Sequence, residues 1–127
     1  MLCWGEMVKA DKKYLVWGIA ALAVISIFYY AYNSMAAPGK YDGFAQCIND
    51  KGLVMYGASW CGHCQSQKAM FGKSFKYVNY VECTQKQAVC DANQVTGYPT
   101  WIAADGTRLI GEQPLEALGR VTGCAVT

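Results

Sequence analysis

Hydrophobic positions follow three different rules along this chain. From Tyr14 to Tyr32 they run without a single charge. The run is close to the ~20 residues that cross a bilayer as a helix. Apolar residues surround its whole circumference with no polar stripe, which argues against a helix buried in a soluble domain. Residues 33–40 are small and polar, with Pro38-Gly39 as a breaker. Beyond Tyr41 the pattern breaks into short segments. Residues 41–50 carry Phe44, Cys47 and Ile48 at helical spacing, and Gly52 is a stop signal. Residues 53–58 are a continuous apolar run and predict a buried strand. Residues 61–71 predict a helix, 76–82 an alternating strand, and 85–94 a second helix. Residues 100–103 and 108–110 predict two strands joined at Asp105-Gly106, a two-residue hairpin signal. Residues 114–121 predict a last helix with Pro114 near its first turn.

These periods divide the chain into a tail (1–13), a transmembrane anchor (14–32), a linker (33–40) and one folded domain (41–127). Tyr14 and Trp17 at one end of the anchor, and Tyr29, Tyr30 and Tyr32 at the other, fit an aromatic belt at each interface. Lys9, Lys12 and Lys13 precede the anchor and only Lys40 lies close behind it. That bias puts the N-terminus in the cytosol and the domain on the extracytoplasmic side, periplasmic or lumenal. The rival reading is a cleaved signal peptide, with Ser34-Met35-Ala36 as the cleavage site. Either delivers the domain to the same side.

Charge excludes one class of partner. Eleven basic and nine acidic residues give a net charge of +2, and no Lys/Arg cluster stands out, so nucleic acid is not expected. Seven cysteines in 127 residues point to an oxidising compartment.

The chemistry concentrates at Trp60-Cys61-Gly62-His63-Cys64, where a strand hands over to a helix. Unpaired N–H groups and the positive dipole end at that helix start favour a thiolate on Cys61. The two-residue spacer puts Cys64 one turn away, within reach of a disulfide. A purely static bridge closes a tiny loop and stabilises little. His63, the chain's single histidine, is expected to join Cys61 and Cys64 as a catalytic residue whose partial positive charge steadies the Cys61 thiolate; the alternative is an exposed polar residue of the first turn. The order helix, strand, dithiol helix, strand, helix, hairpin, helix gives a right-handed parallel crossover followed by an antiparallel extension. This is an α/β layout, a mixed sheet flanked by helices, of thioredoxin-like type.

Several spaced segments carry a more specific likeness: Phe44-Ala45-Gln46-Cys47, Met55-Tyr56-Gly57-Ala58, the dithiol motif, Gln67-Lys68, Tyr80-Val81-Glu82-Cys83, Gly97-Tyr98-Pro99-Thr100-Trp101 and Thr122-Gly123-Cys124. Together they resemble the thioredoxin-like domain fused to bacterial and plant vitamin K epoxide reductase homologues, within the thioredoxin and protein disulfide isomerase superfamily. The resemblance implies a domain that takes oxidising equivalents from a membrane quinone reductase and passes them to substrate proteins. It implies Cys61 as an exposed nucleophile, Cys64 as its partner, and a cis peptide at Tyr98-Pro99 beside them. Trp60, Tyr98 and Pro99 are then expected to bind substrate polypeptide, while Trp101 is assigned to the core. Two departures stand out. One anchor helix cannot supply the quinone-binding bundle, so a separate redox partner is required. The spacer is Gly-His, as in protein disulfide isomerases, rather than Pro-His. Thioredoxins as a family also carry a buried carboxylate six residues before the first motif cysteine, a position held here by Met55, with Glu82 the nearest substitute.

The remaining cysteines are assigned by spacing and resemblance together. Cys83 and Cys90 are expected to form a structural disulfide, with a second redox pair as the alternative. Cys47 and Cys124, in the first and last helices of the domain, are expected to form another. Cys3 is expected to be a free thiol. Zinc held by Cys61, Cys64, Cys83 and Cys90 is disfavoured because six residues separate the second pair, not the usual two to four. No metal and no cofactor beyond the Cys61–Cys64 disulfide is expected. The sequence thus predicts a membrane-anchored thiol–disulfide oxidoreductase acting on protein thiols with a quinone-linked membrane partner. A reductase fed by a transmembrane electron carrier, a metal-binding module and a docking scaffold are the rivals.

Overall fold

The structure, a computed structural model, describes residues 12–127; Cys3 and most of the N-terminal tail lie outside that range. The described chain falls into two units that part between Ala37 and Pro38.

The first unit is a single helix, α1 (Lys12–Ala36), of 25 residues. At 1.5 Å per residue it is about 37 Å long, more than a bilayer's hydrocarbon core requires. Its mean hydropathy of 1.9 and lack of buried residues make it long and apolar enough to cross a membrane, a test that an N-terminal signal sequence also passes. The helix extends beyond residues 14–32 at both ends. Lys12 and Lys13 are good helix formers, and Asn33–Ala36 continues the hydrogen-bond ladder until Ala37 N–H closes on Asn33.

The second unit is built on a four-stranded sheet. Its elements are α2 (Asp42–Asp50), β1 (Val54–Gly57), α3 (Gly62–Phe71), β2 (Asn79–Glu82), α4 (Gln87–Ala92), β3 (Thr100–Ile102), β4 (Arg108–Ile110) and α5 (Leu115–Thr122). The strand order is β2-β1-β3-β4. β1 runs parallel to β2 and antiparallel to β3, and β3 runs antiparallel to β4. The mixed sheet follows from the connections. α3 is long enough to carry the chain back for a parallel strand, whereas a tight hairpin returns β4 antiparallel.

Alternation along the strands sorts the core into two layers. Met55 and Trp101 are register partners and face Phe44, Ala45 and Ile48 of α2, Phe71 of α3, and Leu115 and Leu118 of α5. Val54, Tyr56, Val81 and Ile102 point the other way, onto Cys83, Cys90 and Val95 around α4. Aromatic rings bind the first layer. Phe71 stacks on Phe44 at 5.9 Å and meets Phe75 and Trp101 at 6.1 Å each.

Three local expectations change. Residues 72–77 form a 3-10 helix instead of the start of a strand, and Val78 N–H closes it on Phe75. The alternation of Tyr77 with Val78 imitated a strand, but Phe75 and Tyr77 are tied to the helical layer. The hairpin turn has three central residues rather than two. Gly106 N–H bonds Ala103 and Ala103 N–H bonds Thr107, with Gly106 at φ +88°. Gly106 therefore supplies the left-handed residue that follows a type I turn. Pro114 sits just outside α5, as its N-cap.

Two disulfides brace the unit. Cys47 of α2 is bonded to Cys124 beyond α5 across 77 positions, and Cys83 is bonded to Cys90 across 7. Cys83 and Cys90 are both fully buried, which shields that bond from attacking thiols and disfavours a second exchanging pair. The long link pins the first and last helices of the layer that carries α3. Replacing Cys47 and Cys124 together by Ala is expected to cost about 2–5 kcal/mol, through the larger entropy of the unlinked unfolded chain. Urea unfolding of the variant against the oxidised parent measures this.

Candidate active site

The dithiol lies where β1 feeds α3. β1 ends at Gly57 and the chain turns through Ala58, Ser59 and Trp60. Cys61 is the N-cap of α3, and Cys61 N–H bonds the Ala58 carbonyl. Side chains fix the turn from both sides. Glu82 Oε1, at the end of the neighbouring strand, accepts from Ser59 N–H at 3.0 Å, and Gln65 Nε2 donates to the Ser59 carbonyl at 3.0 Å.

Cys61 and Cys64 are both free thiols here. The Cys64 N–H donates to Cys61 Sγ at 3.2 Å, so the sulfur takes the place of the usual capping oxygen and satisfies one unpaired donor of the helix start. An exposed Cys61 is not what the structure has. That side chain is only 6% exposed because its sulfur turns inward to the cap, and Cys64 is fully enclosed. Cys61 is nevertheless the more accessible of the two. Trp60 beside it is 74% exposed, and its ring meets Tyr98 edge-on at 5.9 Å. The Tyr98–Pro99 peptide is cis and the Pro99 side chain is buried. Trp60, Tyr98 and the dithiol thus share one side of the domain.

His63 stands in the first turn of α3, 78% exposed. Its Nδ1 lies 3.3 Å from Glu112 Oε2, so its contact is with the segment before α5 rather than with a sulfur. Glu112 was not legible in the sequence, because only the fold brings residues 63 and 112 together.

Burial is the main force on Cys64. It pushes the thiol from 9.0 up to about 11, and the hydrogen bond with Cys61 acts in the same direction. The Ala58 backbone and the Lys68 ammonium pull the other way. Gly57 allows this enclosure. A Cβ there would stand 3.0 Å from Cys64 Sγ and 3.0 Å from Tyr80 Cε2. Glu82 does not reach into the core to replace the carboxylate missing at Met55. Its oxygens accept from Ser59 N–H, Thr84 N–H, the Thr84 hydroxyl and the Tyr80 hydroxyl. Partial burial alone would raise its pKa, but those four donors outweigh it and hold the carboxyl below its usual value.

One residue behind the dithiol was quoted in the sequence motif without a role. Gln67 is fully buried. Its Oε1 accepts from Gln113 N–H at 2.7 Å and from Trp101 Nε1 at 3.2 Å, while its Nε2 donates to the Gln113 carbonyl at 2.9 Å. It locks α3 to β3 and to the segment carrying Glu112. Trp101 is core, fully buried and tied to this amide.

Comparison with known proteins follows the same lines. The Thioredoxin family model matches residues 36–120, and the chain belongs to the thioredoxin family. It is 42% identical over 88 residues to thiol-disulfide oxidoreductase LTO1 of Arabidopsis thaliana, covering 62% of this chain and 23% of that protein. It is 33% identical over 69 residues to the protein disulfide-isomerase of Aspergillus niger, covering 46% of this chain and 13% of that protein. The chain spans less than a quarter of the length of these relatives. Among solved structures, a mutant thioredoxin from Halobacterium salinarum aligns with TM-score 0.47 at 28% identity, over 55% of this chain and 69% of that one.

Two outcomes follow from the geometry. Gln67→Leu leaves the Trp101 and Gln113 N–H groups without their acceptor, and is expected to cost about 2–4 kcal/mol in chemical denaturation. Cys64 binds its proton more tightly folded than unfolded. Its contribution to the stability of the reduced protein is therefore complete below pH 9.0 and disappears as pH rises to about 11. Denaturation midpoints of the reduced parent and of Cys64→Ala, compared across that window, read the effect as a slope present only in the parent.

Proposed function

We propose that this chain is a membrane-anchored thiol–disulfide oxidoreductase that acts on protein thiols and disulfides through Cys61 and Cys64. The observation that carries the reading is the free pair at the N-terminus of α3, with Cys64 N–H on Cys61 Sγ at 3.2 Å. A backbone donor aimed at one sulfur, at the start of a helix, supports Cys61 and not its enclosed partner as the sulfur that meets substrate. The names of the Arabidopsis and Aspergillus relatives support the same class.

In the oxidising direction a substrate thiolate attacks Cys61 of the Cys61–Cys64 disulfide. The bond between the two cysteines breaks, and Cys64 leaves with the electron pair. A second substrate thiolate then attacks the substrate sulfur of the mixed disulfide. Cys61 departs, the substrate disulfide closes, and the chain is left as a dithiol. The redox group is the cysteine pair itself. Trp60 and Tyr98 offer an apolar shelf beside Cys61 for the substrate polypeptide, and the buried Pro99 joins Tyr98 through the cis bond. His63 contributes positive charge at the mouth when protonated, balanced by Glu112.

Reoxidation requires a partner. The motif resemblance to the domain fused to vitamin K epoxide reductase homologues supports a quinone-linked membrane protein in that role. α1 and the lysine bias before it support an anchor with its N-terminus in the cytosol and the domain outside it. The long Cys47–Cys124 link supports an oxidising compartment.

The deciding measurement is the equilibrium reduction potential of the full chain in detergent against glutathione, with Cys3 replaced by Ser. A value of about −120 to −180 mV is expected, in the range of disulfide donors; about −270 mV would make the chain a reductant instead. Cys61→Ser is expected to abolish turnover of a dithiol peptide, and undiminished turnover in that variant would refute the assignment.

A further inference from the structure

Cys64 sits where its own chemistry is hardest. As the resolving or leaving sulfur of a dithiol it carries negative charge during exchange, yet it is fully buried and burial opposes that charge. Met55, six residues before Cys61, is equally buried and supplies no carboxylate. The ionisable side chains gathered near this sulfur come from α3 and β2.

Lys68 lies one turn beyond Cys64 on α3, on the same face of the helix. Its Nζ stands 3.9 Å from the centroid of the Tyr80 ring and 5.4 Å from that of Phe75. Tyr80 comes from β2 and packs over Gly57. A Cβ at position 57 would meet Cys64 Sγ at 3.0 Å, Tyr80 Cε2 at 3.0 Å and Tyr80 Oη at 3.2 Å, so sulfur and phenol converge on one point. Behind the ring, the Tyr80 hydroxyl donates to Glu82 Oε2 at 2.8 Å. Burial and then that hydrogen bond push the phenol well above its usual pKa, so the ring stays neutral. A neutral phenol donating to a carboxylate is electron-rich and seats an ammonium over its face. The other ionisable neighbour is Cys61; His63 is turned to Glu112.

We propose that Lys68 is the counter-charge of the Cys64 thiolate, seated by the Tyr80 ring and by the Glu82 carboxylate bonded behind it. The inference rests on reading Cys61 and Cys64 as a reactive dithiol. In the resolving step Cys64 gives its proton to water and attacks the Cys61 sulfur of a mixed disulfide. The Cys61–Cys64 bond forms, and the electron pair of the broken bond leaves on the substrate sulfur. In the reverse step Cys64 receives the pair as its bond to Cys61 breaks. The same charge appears on the same sulfur in both directions. An ammonium held over the Tyr80 ring, half-buried beside the helix, offsets it better than a mobile surface lysine would. The four donors already on Glu82 keep that carboxylate occupied, which leaves the lysine to the ring.

Stopped-flow reaction of the reduced full chain, Cys3→Ser, with a nitroaryl disulfide tests this. The first release of nitroaryl thiolate reports attack by Cys61, and the second reports resolution by Cys64. Lys68→Met is expected to raise the pH midpoint of the second phase by about one unit and to slow it about tenfold at neutral pH. The first phase should not change. Lys68→Arg should restore the second phase to within about twofold, and Tyr80→Leu should move it the way Lys68→Met does. A second phase in Lys68→Met that follows the parent's pH profile, or no rescue by Arg, overturns the inference and leaves the dithiol reading intact. Absence of the first phase in the parent overturns both.

Discussion

Everything at the site depends on how closely α3 approaches the end of β1. Gly57 has no side chain, and the space a Cβ would take is filled by Cys64 Sγ and the Tyr80 ring. That contact sinks Cys64 into the core and leaves Cys61 at the helix start, where its sulfur becomes the cap. Two chemically identical side chains thereby acquire different surroundings. One is reached from the surface and takes a backbone hydrogen bond. The other is enclosed and holds its proton up to about pH 11. The asymmetry that thiol exchange needs is produced by packing, one helical turn apart.

The rest of the domain holds that approach in place. The Gln67 amide ties α3 to Trp101 and Gln113. Phe71 fills the layer between α2 and the sheet. The Cys47–Cys124 bond closes the same layer from outside. Across the sheet, the buried Cys83–Cys90 bond braces the loop that follows Glu82. Glu82 itself fixes Ser59, two residues before Cys61. Its four hydrogen bonds make it a clamp for the turn and not a buried base, so it is no direct counterpart of the family's carboxylate.

Several particulars were legible in the order of residues. The charge-free run ending at Tyr32, the apolar strand before Trp60, and the Cys-x-x-Cys at a strand-to-helix handover are local patterns with local causes. They fixed the α/β class and the residues to watch. Other particulars were misread for equally physical reasons. Lys76 and Tyr77 alternate with Val78 like the start of a strand but end a 3-10 helix, because Phe75 and Tyr77 have partners in the helical layer. Asp105-Gly106 signals a hairpin correctly, but its length depends on which strand residues pair, a register set by Trp101 in the core.

The sequence by itself determined an apolar segment long enough to cross a membrane, a thioredoxin-type succession of elements, and a dithiol at the start of a helix. These follow from periodicity and from the covalent spacing of Cys61 and Cys64. Only the tertiary structure decided that Cys61 is tucked in and not exposed, that His63 meets Glu112, that Gln67 is a junction, and that Lys68 lies over the Tyr80 ring whose hydroxyl bonds Glu82. Those relations join residues far apart in the chain, or set the depth at which a helix lies on a sheet. Depth is governed by the volumes that must fit between the elements, and no local pattern of residues encodes it.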